Sequence, residues 1–338
     1  MVRLVALVVL AALVLVGPHA GSAQARRIVV YAAMDETVIS RIVRAFTERT
    51  GIQVEMLTVA AAGTVAARIT AEKARPRADI FVGGSIDFHA PLAAEGILAP
   101  YRSPAAAEAK VPREFIDPKG FWHGWYFGVL SVVVNRPVFD RTLGAAGIAL
   151  PRTWDDLTLP AFRGQVVLPS PVTTGAGYIF LATQFFRLGE ERGWTYLKAL
   201  AANTSQFAPT VPAAMTLVER GEAALGMNWA HVGLIARNRG VPIDIILPPD
   251  TGYEIGGVSI IKGGPNPEGA KEFVDFVFSR LAQDIAVKYH LTYPVRLDVP
   301  SPAGMPALEN VKLVKYDRDW AIANMTRVRE RWMREVGR

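Results

Sequence analysis

The sequence contains no cysteine in its 338 residues. Disulfide bonds and thiol chemistry are therefore excluded, even in an oxidising compartment. The chain must take its stability from buried apolar side chains, and the 51% of residues that are hydrophobic can supply them. Because no cysteine follows the apolar run near the N-terminus, the lipid anchor of a lipoprotein is excluded as well.

An excess of charge of one sign is also lacking. The chain has 37 Lys and Arg residues against 31 Asp and Glu, and its formal net charge is +6. These charges are spread along the chain, with no basic block and no interleaving of basic and aromatic residues. The distribution argues against nucleic-acid binding, whereas a mildly positive field would help to gather anionic solutes.

Catalytic signatures are missing too. The sequence has no H-E-x-x-H, G-x-S-x-G or P-loop motif. The histidines do not pair at metal-ligand spacing, so we expect each to be a packing or surface residue; they are His19, His89, His123, His231 and His290. We expect no catalytic residues, no metal site and no cofactor, although distant residues can still assemble into an active site.

The N-terminal 25 residues have the pattern of a secretory signal peptide. Arg3 supplies a positive start, residues 4–16 are apolar, and small residues end at Ala23-Gln24-Ala25. The apolar run is shorter than the ~20 residues of a membrane-spanning helix. We expect export with cleavage after Ala25, or after Ala23. An uncleaved N-terminal anchor is the alternative.

The remaining chain alternates between predicted strands and helices, which indicates an α/β fold with a mostly parallel sheet covered by helices. The predicted strands are 28–31, 52–57, 79–82, 126–135, 165–168, 224–228, 243–247 and 258–261. The predicted helices are 37–50, 66–73, a helix after 83–85 that ends near 96, 173–188, 213–220, 267–279, 281–289 and 320–336. No linker rich in Gly and Ser divides the chain, so we expect interwoven lobes rather than tethered domains.

Small polar loops join a strand to a helix at three places, 62–64, 83–85 and 173–175. Each combines the unpaired N–H groups of a helix start with a hydroxyl, an arrangement that can bind an anion. The alternative is plain N-capping by Ser or Thr. The candidate ligand-binding residues are Met34, Gly63, Thr64, Gly84, Ser85, Thr173, Thr174, Gly175, Asn228, Tyr253 and Glu254.

Two further features have two interpretations each. The aromatic run at 121–127 either lines a pocket or forms the edge of the core. Glu254 lies between Pro248-Pro249 and the strand at 258–261, where a hinge would fall. Its carboxylate would either hold a ligand ammonium group or face water.

Several segments together resemble bacterial solute-binding proteins of the group that binds ferric iron, phosphosugars and 2-aminoethylphosphonate. They are 251–268 (TGYEIGGVSIIKGGPNPE), 270–276 (AKEFVDF), Thr173-Thr174-Gly175, Asn228-Trp229-Ala230-His231 and 316–320 (YDRDW). The resemblance covers essentially the whole chain after the signal segment.

The resemblance implies a type II periplasmic binding protein fold, in which two Rossmann-like α/β lobes are joined by two crossing hinge strands near 128–134 and 253–258. Lobe one would comprise residues 26–129 with 256–338, and lobe two residues 130–255. The C-terminal helices would pack back on lobe one, and the ligand would lie between the lobes.

The function that the resemblance implies is capture of a small solute in the periplasm and its delivery to an ABC permease in the inner membrane. We expect a monomer without enzymatic activity. The helix starts favour an anion such as a phosphonate, a phosphate ester or a carboxylate. Ferric iron is the alternative, but family members that bind iron use adjacent tyrosines, and here Tyr178 stands alone without a Tyr-Tyr pair anywhere in the sequence.

Overall fold

The computed structural model describes residues 27–59 and 61–336. The predicted signal segment and its cleavage site lie outside these residues. The strands of the described chain are β1 Arg27–Ala33, β2 Gln53–Thr58, β3 Ile80–Ser85, β4 Leu98–Ala99, β5 His123–Asn135, β6 Val166–Pro169, β7 Thr204–Ala208, β8 Leu225–Trp229, β9 Ile243–Ile246, β10 Tyr253–Ile261 and β11 Tyr293–Pro294.

The helices confirm the predicted alternation. They are α1 Glu36–Thr50, α2 Ala62–Ala71, α3 His89–Ala94, α4 Pro104–Glu108, α5 Arg136–Thr142, α6 Gly175–Leu188, α7 Glu190–Asn203, α8 Val211–Glu219, α9 Ala230–Asn238, α10 Pro267–Val277, α11 Arg280–Ile285 and α12 Arg318–Glu335, with short 3₁₀ turns between several of them. None of the helices in the described ranges is both long enough and apolar enough to cross a membrane.

The strands follow the order β2-β1-β3-β10-β5-β8-β6-β7. At one end β1 pairs in parallel with both β2 and β3. At the other end β6 pairs in parallel with both β7 and β8. Parallel strands joined by helices place their carboxyl ends at one edge, where open α/β sheets bind ligands. The chain therefore forms two such edges, one in each half.

The two long strands β5 and β10 connect these halves. All thirteen residues of β5 are buried. Its first part pairs antiparallel with β10, with Val129 opposite Tyr253, and its second part pairs with β8 and β9. A strand that serves two sheets in turn carries the chain from one half to the other without a linker. The interwoven arrangement predicted from the sequence is thus present.

Local sequence explains the boundaries of the first helix. Asp35 caps α1, because its carboxylate accepts a hydrogen bond of 2.8 Å from the Thr37 N–H. The buried residues Val38, Ile42 and Phe46 follow at helical spacing. The helix ends at Gly51, whose φ of 73° lies in the left-handed region that favours glycine.

The last helix packs differently from the expectation that all C-terminal helices return to lobe one. Helices α10 and α11 do pack in a core with β1, β3 and α1. Helix α12, however, packs against α6 and α7, and the Trp332 ring meets the Phe207 ring edge-on at 5.2 Å. An ion pair of 2.7 Å between Arg327 and Glu190 joins it to α7. The apolar face of α12 is therefore buried in the second half of the molecule.

Three local predictions need adjustment. Residues 83–85 continue β3 instead of opening a helix, and Ser85 then caps a single 3₁₀ turn. Helix α2 begins at Ala62, four residues earlier than predicted. Helix α7 was not predicted, because it follows α6 after only one residue, Gly189, which ends one helix and precedes the next.

Candidate ligand-binding site

A cavity of about 350 Å³ lies between the two parallel edges. This volume is within the usual range for small-molecule sites. The first half contributes Met34, Gly63, Gly84, Ser85 and Phe88. The second half contributes the starts of α6 and α8 and side chains at the β8–α9 junction. Tyr126 and Glu254 of the crossing strands form its floor together with His231 and His290. Both halves of the chain thus line the cavity.

The start of α6 presents backbone donors to this cavity. Thr174 is the N-cap, since its Oγ1 accepts a hydrogen bond of 2.9 Å from the Gly177 N–H. The N–H groups of Gly175 and Ala176, the first two residues of α6, have no carbonyl partner within the helix. Together with the positive end of the helix dipole, they favour an anion.

Two other long helices begin at the same cavity. Helix α2 starts after Ala61, which provides no side-chain cap, so the N–H groups of Ala62 and Gly63 also lack helical partners. Helix α8 is capped by Thr210, whose Oγ1 accepts from the Ala213 N–H at 3.1 Å. The start of α8 was not among the predicted loops. Three helix N-termini therefore converge on one space.

The floor of the cavity is a buried polar cluster of Tyr126, His231, Glu254 and His290. The His231 and His290 rings lie 4.8 Å apart, and Tyr126 contacts His290 edge-on at 4.9 Å. Burial lowers the pKa of His290 to about 4 and holds that of His231 well below its usual value. Both imidazoles are therefore neutral at pH 7, and the described residues provide no hydrogen-bond partner for His231 Nδ1.

Burial also governs the acid of this cluster. It raises the pKa of Glu254 to about 8, nearby Asp87 raises it further, and Arg318 opposes the rise. At pH 7 the carboxyl group is thus mostly protonated, so it can donate as well as accept a hydrogen bond. A ligand cation beside it would favour the ionised form.

Two glycines on the crossing strands make room for this floor. A Cβ at Gly128 would lie 3.0 Å from Glu254 Oε1 and 3.3 Å from His231 Cε1. A Cβ at Gly256 would lie 1.9 Å from the Tyr126 ring. A larger residue at Gly256 would displace Tyr126 from the cavity.

Cationic side chains contribute little to the cavity. Among the lining residues Arg239 is the single Lys or Arg, and it pairs with Glu219 at 2.5 Å. Asp35 is also in the lining and caps α1. The groups of the lining that carry unpaired positive charge or partial charge are therefore backbone N–H groups at helix starts.

Most of the predicted residues do come together here. Eight of the eleven candidates line the cavity: Met34, Gly63, Gly84, Ser85, Thr173, Thr174, Gly175 and Glu254. Three do not, namely Thr64, Asn228 and Tyr253. Thr64 is exposed on α2, and Asn228 is fully buried, with Nδ2 donating to the Val211 carbonyl at 3.2 Å. Tyr253 points away because consecutive strand residues face opposite sides, and it stacks on Phe127 instead.

The predicted hydroxyl groups do not have the expected free hydrogens. Thr173 Oγ1 donates to the Pro209 carbonyl and Thr174 Oγ1 to the Ser170 carbonyl, both at 2.8 Å. Ser85 Oγ donates to Asp87 Oδ2 at 2.9 Å. A hydroxyl group has one hydrogen, so none of the three has a hydrogen left to donate to an anion.

Four polar lining residues of the floor and the α8 start were not among the candidates from the sequence. Three belong to the floor, His231, His290 and Tyr126, and the fourth is Thr210 at the start of α8. The prediction that His231 and His290 are packing or surface residues agrees with their burial, but it does not include the position of their rings at the cavity. Tyr126 belongs to the aromatic run that had two interpretations, and it lines the cavity while neighbouring Trp125 is buried in the core. For Thr210, the signal was present: a threonine precedes the helix at Val211–Glu219, as Thr174 precedes α6.

In the described ranges, no group of three or more His, Cys, Asp or Glu side chains is arranged to hold a metal ion. Tyr178, the isolated tyrosine, is buried and donates its hydroxyl hydrogen to the Ala321 carbonyl at the α12 contact. It is not one of the cavity-lining residues.

The sequence and the structure match known solute-binding proteins. The family model for bacterial extracellular solute-binding proteins matches residues 75–322. An uncharacterized protein of Haemophilus influenzae is 32% identical over 94% of this chain and 92% of its own length. A protein of Salmonella paratyphi A, named for a proposed role in binding 2-aminoethylphosphonate in the periplasm, is 25% identical over 85% of this chain and 84% of its own.

A solved structure matches over nearly the same length. The periplasmic binding protein AfuA from Actinobacillus pleuropneumoniae, with fructose-6-phosphate bound, superposes with a TM-score of 0.84. It is 29% identical and the match covers 92% of this chain and 98% of that one. The predicted fold class, two Rossmann-like α/β lobes joined by crossing strands as in type II periplasmic binding proteins, is confirmed, and the chain belongs to the family of bacterial extracellular solute-binding proteins.

Proposed function

We propose that this protein captures a small organic anion, namely a phosphonate, a phosphate ester or a carboxylate, in the periplasm and delivers it to an ABC permease. The observation that carries the proposal is the convergence of three helix N-termini on one cavity between the lobes. Unpaired N–H groups at such positions bind oxyanions without a cationic side chain. The anionic group would lie at the start of α6, with α2 and α8 beside it.

The chemistry of the lining favours an organic anion over ferric iron. Ferric iron is a hard cation that needs several anionic oxygen ligands. The carboxylates of the lining are divided among an N-cap at Asp35, an ion pair at Glu219 and the mostly protonated Glu254. The cavity thus offers hydrogen-bond donors where an iron site would offer ligands.

We further propose how the protein is exported and how it binds its ligand. The signal segment would be removed after Ala25 or Ala23 on export, and the mature chain would act as a monomer that closes on its ligand by hinge motion at β5 and β10. Binding without turnover is expected. Incubating the pure protein with its bound ligand and finding the ligand chemically changed would contradict this.

A thermal-shift screen tests the ligand class. The panel contains phosphonates, sugar phosphates, dicarboxylates, polyamines and ferric citrate. A ligand at 100 times its dissociation constant stabilises the folded state by about 2.7 kcal/mol, which raises the melting temperature measurably. We expect a response to at least one organic anion. A response to ferric ion alone, with a purple charge-transfer band, or to polyamines alone, would overturn the proposal.

A further inference from the structure

A chain of polar groups runs from the cavity wall to the start of the last helix. Ser85 lines the cavity and donates to Asp87 Oδ2 at 2.9 Å, and Asp87 Oδ1 accepts from Arg318 Nη1 at 2.7 Å. The Asp87 and Arg318 side chains are only 2% and 15% exposed. Because α12 packs on lobe two, this buried pair joins the two halves beside the cavity.

The network fixes the polarity of the Ser85 hydroxyl group. Its single hydrogen is directed at Asp87, and its oxygen also accepts from the Asp87 N–H at 3.3 Å. One lone pair remains, so Ser85 can only accept a hydrogen bond from a ligand. Asp87 cannot release that hydrogen without leaving a buried carboxylate oxygen unpaired, which is costly.

Glu254 lies beside this acceptor. Ser85 is opposite Gly256 in the β3–β10 ladder, and Glu254 is two residues from Gly256 on the same strand. Residues two apart on a strand share a face, and both side chains line the cavity. This wall therefore presents a hydroxyl acceptor next to a carboxyl group, whereas the helix starts present donors.

We propose that Ser85, positioned by Asp87 and Arg318, is a specificity-determining acceptor that selects anionic ligands carrying a hydrogen-bond donor, either an ammonium or a hydroxyl group. The inference rests on the proposed function, because it supposes that an oxyanion occupies the helix starts. A second oxyanion at this wall would meet the lone pair of Ser85 and would be repelled.

Calorimetric titration with four phosphonates tests the inference. Methylphosphonate carries the anion alone, and propylphosphonate adds an apolar tail. 2-Aminoethylphosphonate and 2-hydroxyethylphosphonate replace the terminal methyl group of that tail by a donor. We expect at least one donor-bearing probe to bind the wild-type protein at least about tenfold more tightly than propylphosphonate.

Ser85→Ala removes the acceptor and also the hydrogen bond to Asp87 Oδ2, while Asp87 Oδ1 keeps its partner Arg318. Circular dichroism checks that this variant folds. We expect the preferred donor-bearing probe to bind about tenfold more weakly and propylphosphonate to bind unchanged. Ser85→Thr, which keeps the hydroxyl group, should restore the preference. Ser131→Ala is the matched control: this buried strand serine donates to the Asn228 carbonyl and does not line the cavity, so the preference should persist.

A second variant, Asp87→Asn, reverses the direction of the hydrogen bond between Ser85 and residue 87. In Asp87→Asn the amide group can donate to Ser85, which frees the serine hydrogen to point into the cavity, and the preference for donor-bearing probes should fall. Circular dichroism checks that this variant folds, and if it does not, the Ser85→Ala result decides.

The outcomes separate the two proposals. If wild-type protein binds all four probes equally, or if Ser85→Ala weakens propylphosphonate as much as the donor-bearing probes, the inference is overturned and the anion site stands. If none of the four probes binds, the inference is overturned and the proposed phosphonate ligand fails with it. If a donor-bearing probe binds more tightly than propylphosphonate, the pH dependence of its affinity shows which donor is preferred. Only an ammonium group favours the ionised form of Glu254.

Discussion

Replacing Glu254 by Gln should make the ligand-free protein more stable at high pH. The pKa of this buried carboxyl group rises from 4.5 to about 8, chiefly because burial disfavours its charge. In the unfolded chain the group ionises near pH 4.5, so between these two values the folded state binds more protons. The stability that this group contributes is therefore complete below pH 4.5 and is lost as the pH rises through 8.

The expected size follows from the same shift. At about 1.4 kcal/mol per pH unit, a rise from 4.5 to about 8 corresponds to about 5 kcal/mol between the two extremes. Gln is neutral at every pH and nearly the same shape, so Glu254→Gln should match wild type near pH 4 and exceed it increasingly up to pH 9. Urea unfolding of both proteins at pH 5, 7 and 9 measures the difference in the free energy of unfolding.

The control is Glu190→Gln. Arg327 lowers the pKa of Glu190, so this carboxylate is ionised in both states above pH 6 and the variant should differ from wild type by a constant amount from pH 6 to 9. If the difference between Glu254→Gln and wild type also stayed constant from pH 5 to 9, within about 1 kcal/mol, the description of Glu254 as a buried, protonated acid would be wrong.

Three further substitutions test other parts of the structure. Thr174→Ala should lower the free energy of unfolding by about 1 kcal/mol in urea titrations and leave ligand affinity within about threefold. The reason is that the hydroxyl group caps α6 and donates its hydrogen to a carbonyl. A tenfold loss of affinity with unchanged stability would contradict this. Gly175→Val should weaken binding at least about tenfold by calorimetry, since even a Cβ there would lie 3.1 Å from Phe88 Cε2 across the cleft. Unchanged affinity would argue against an anion at the α6 start. Trp332→Ala should lower the free energy of unfolding by about 3–5 kcal/mol. A loss below about 1 kcal/mol would show that α12 is not part of the core that contains α6 and α7.

Features that depend on neighbouring residues were predictable from the sequence. The cap at Thr174 and the start of α6 follow from a threonine before a glycine and an apolar helical pattern. The α/β class follows from the alternation of strands and helices, and interwoven lobes follow from the absence of a linker. The first inference uses residues within one turn, and the other two use the order of elements along the chain.

Features that depend on the path of the chain were not predictable. His231 and His290 are 59 positions apart in sequence, and only the crossing of the sheets brings their rings to 4.8 Å. The pairing of Asp87 with Arg318 spans 231 positions and depends on α12 packing on lobe two. The loss of Tyr253 from the site could have been foreseen, since adjacent residues of a strand face opposite sides.

Amide NMR of the wild-type protein tests the central claim most directly. The claim is that an organic anion lies at the converging helix starts between the lobes. On titration with the best organic anion from the thermal-shift screen, the N–H resonances of Gly63, Gly175, Ala176 and Val211 should move together, downfield, with one dissociation constant. Saturable binding that leaves all four resonances unmoved would contradict the account.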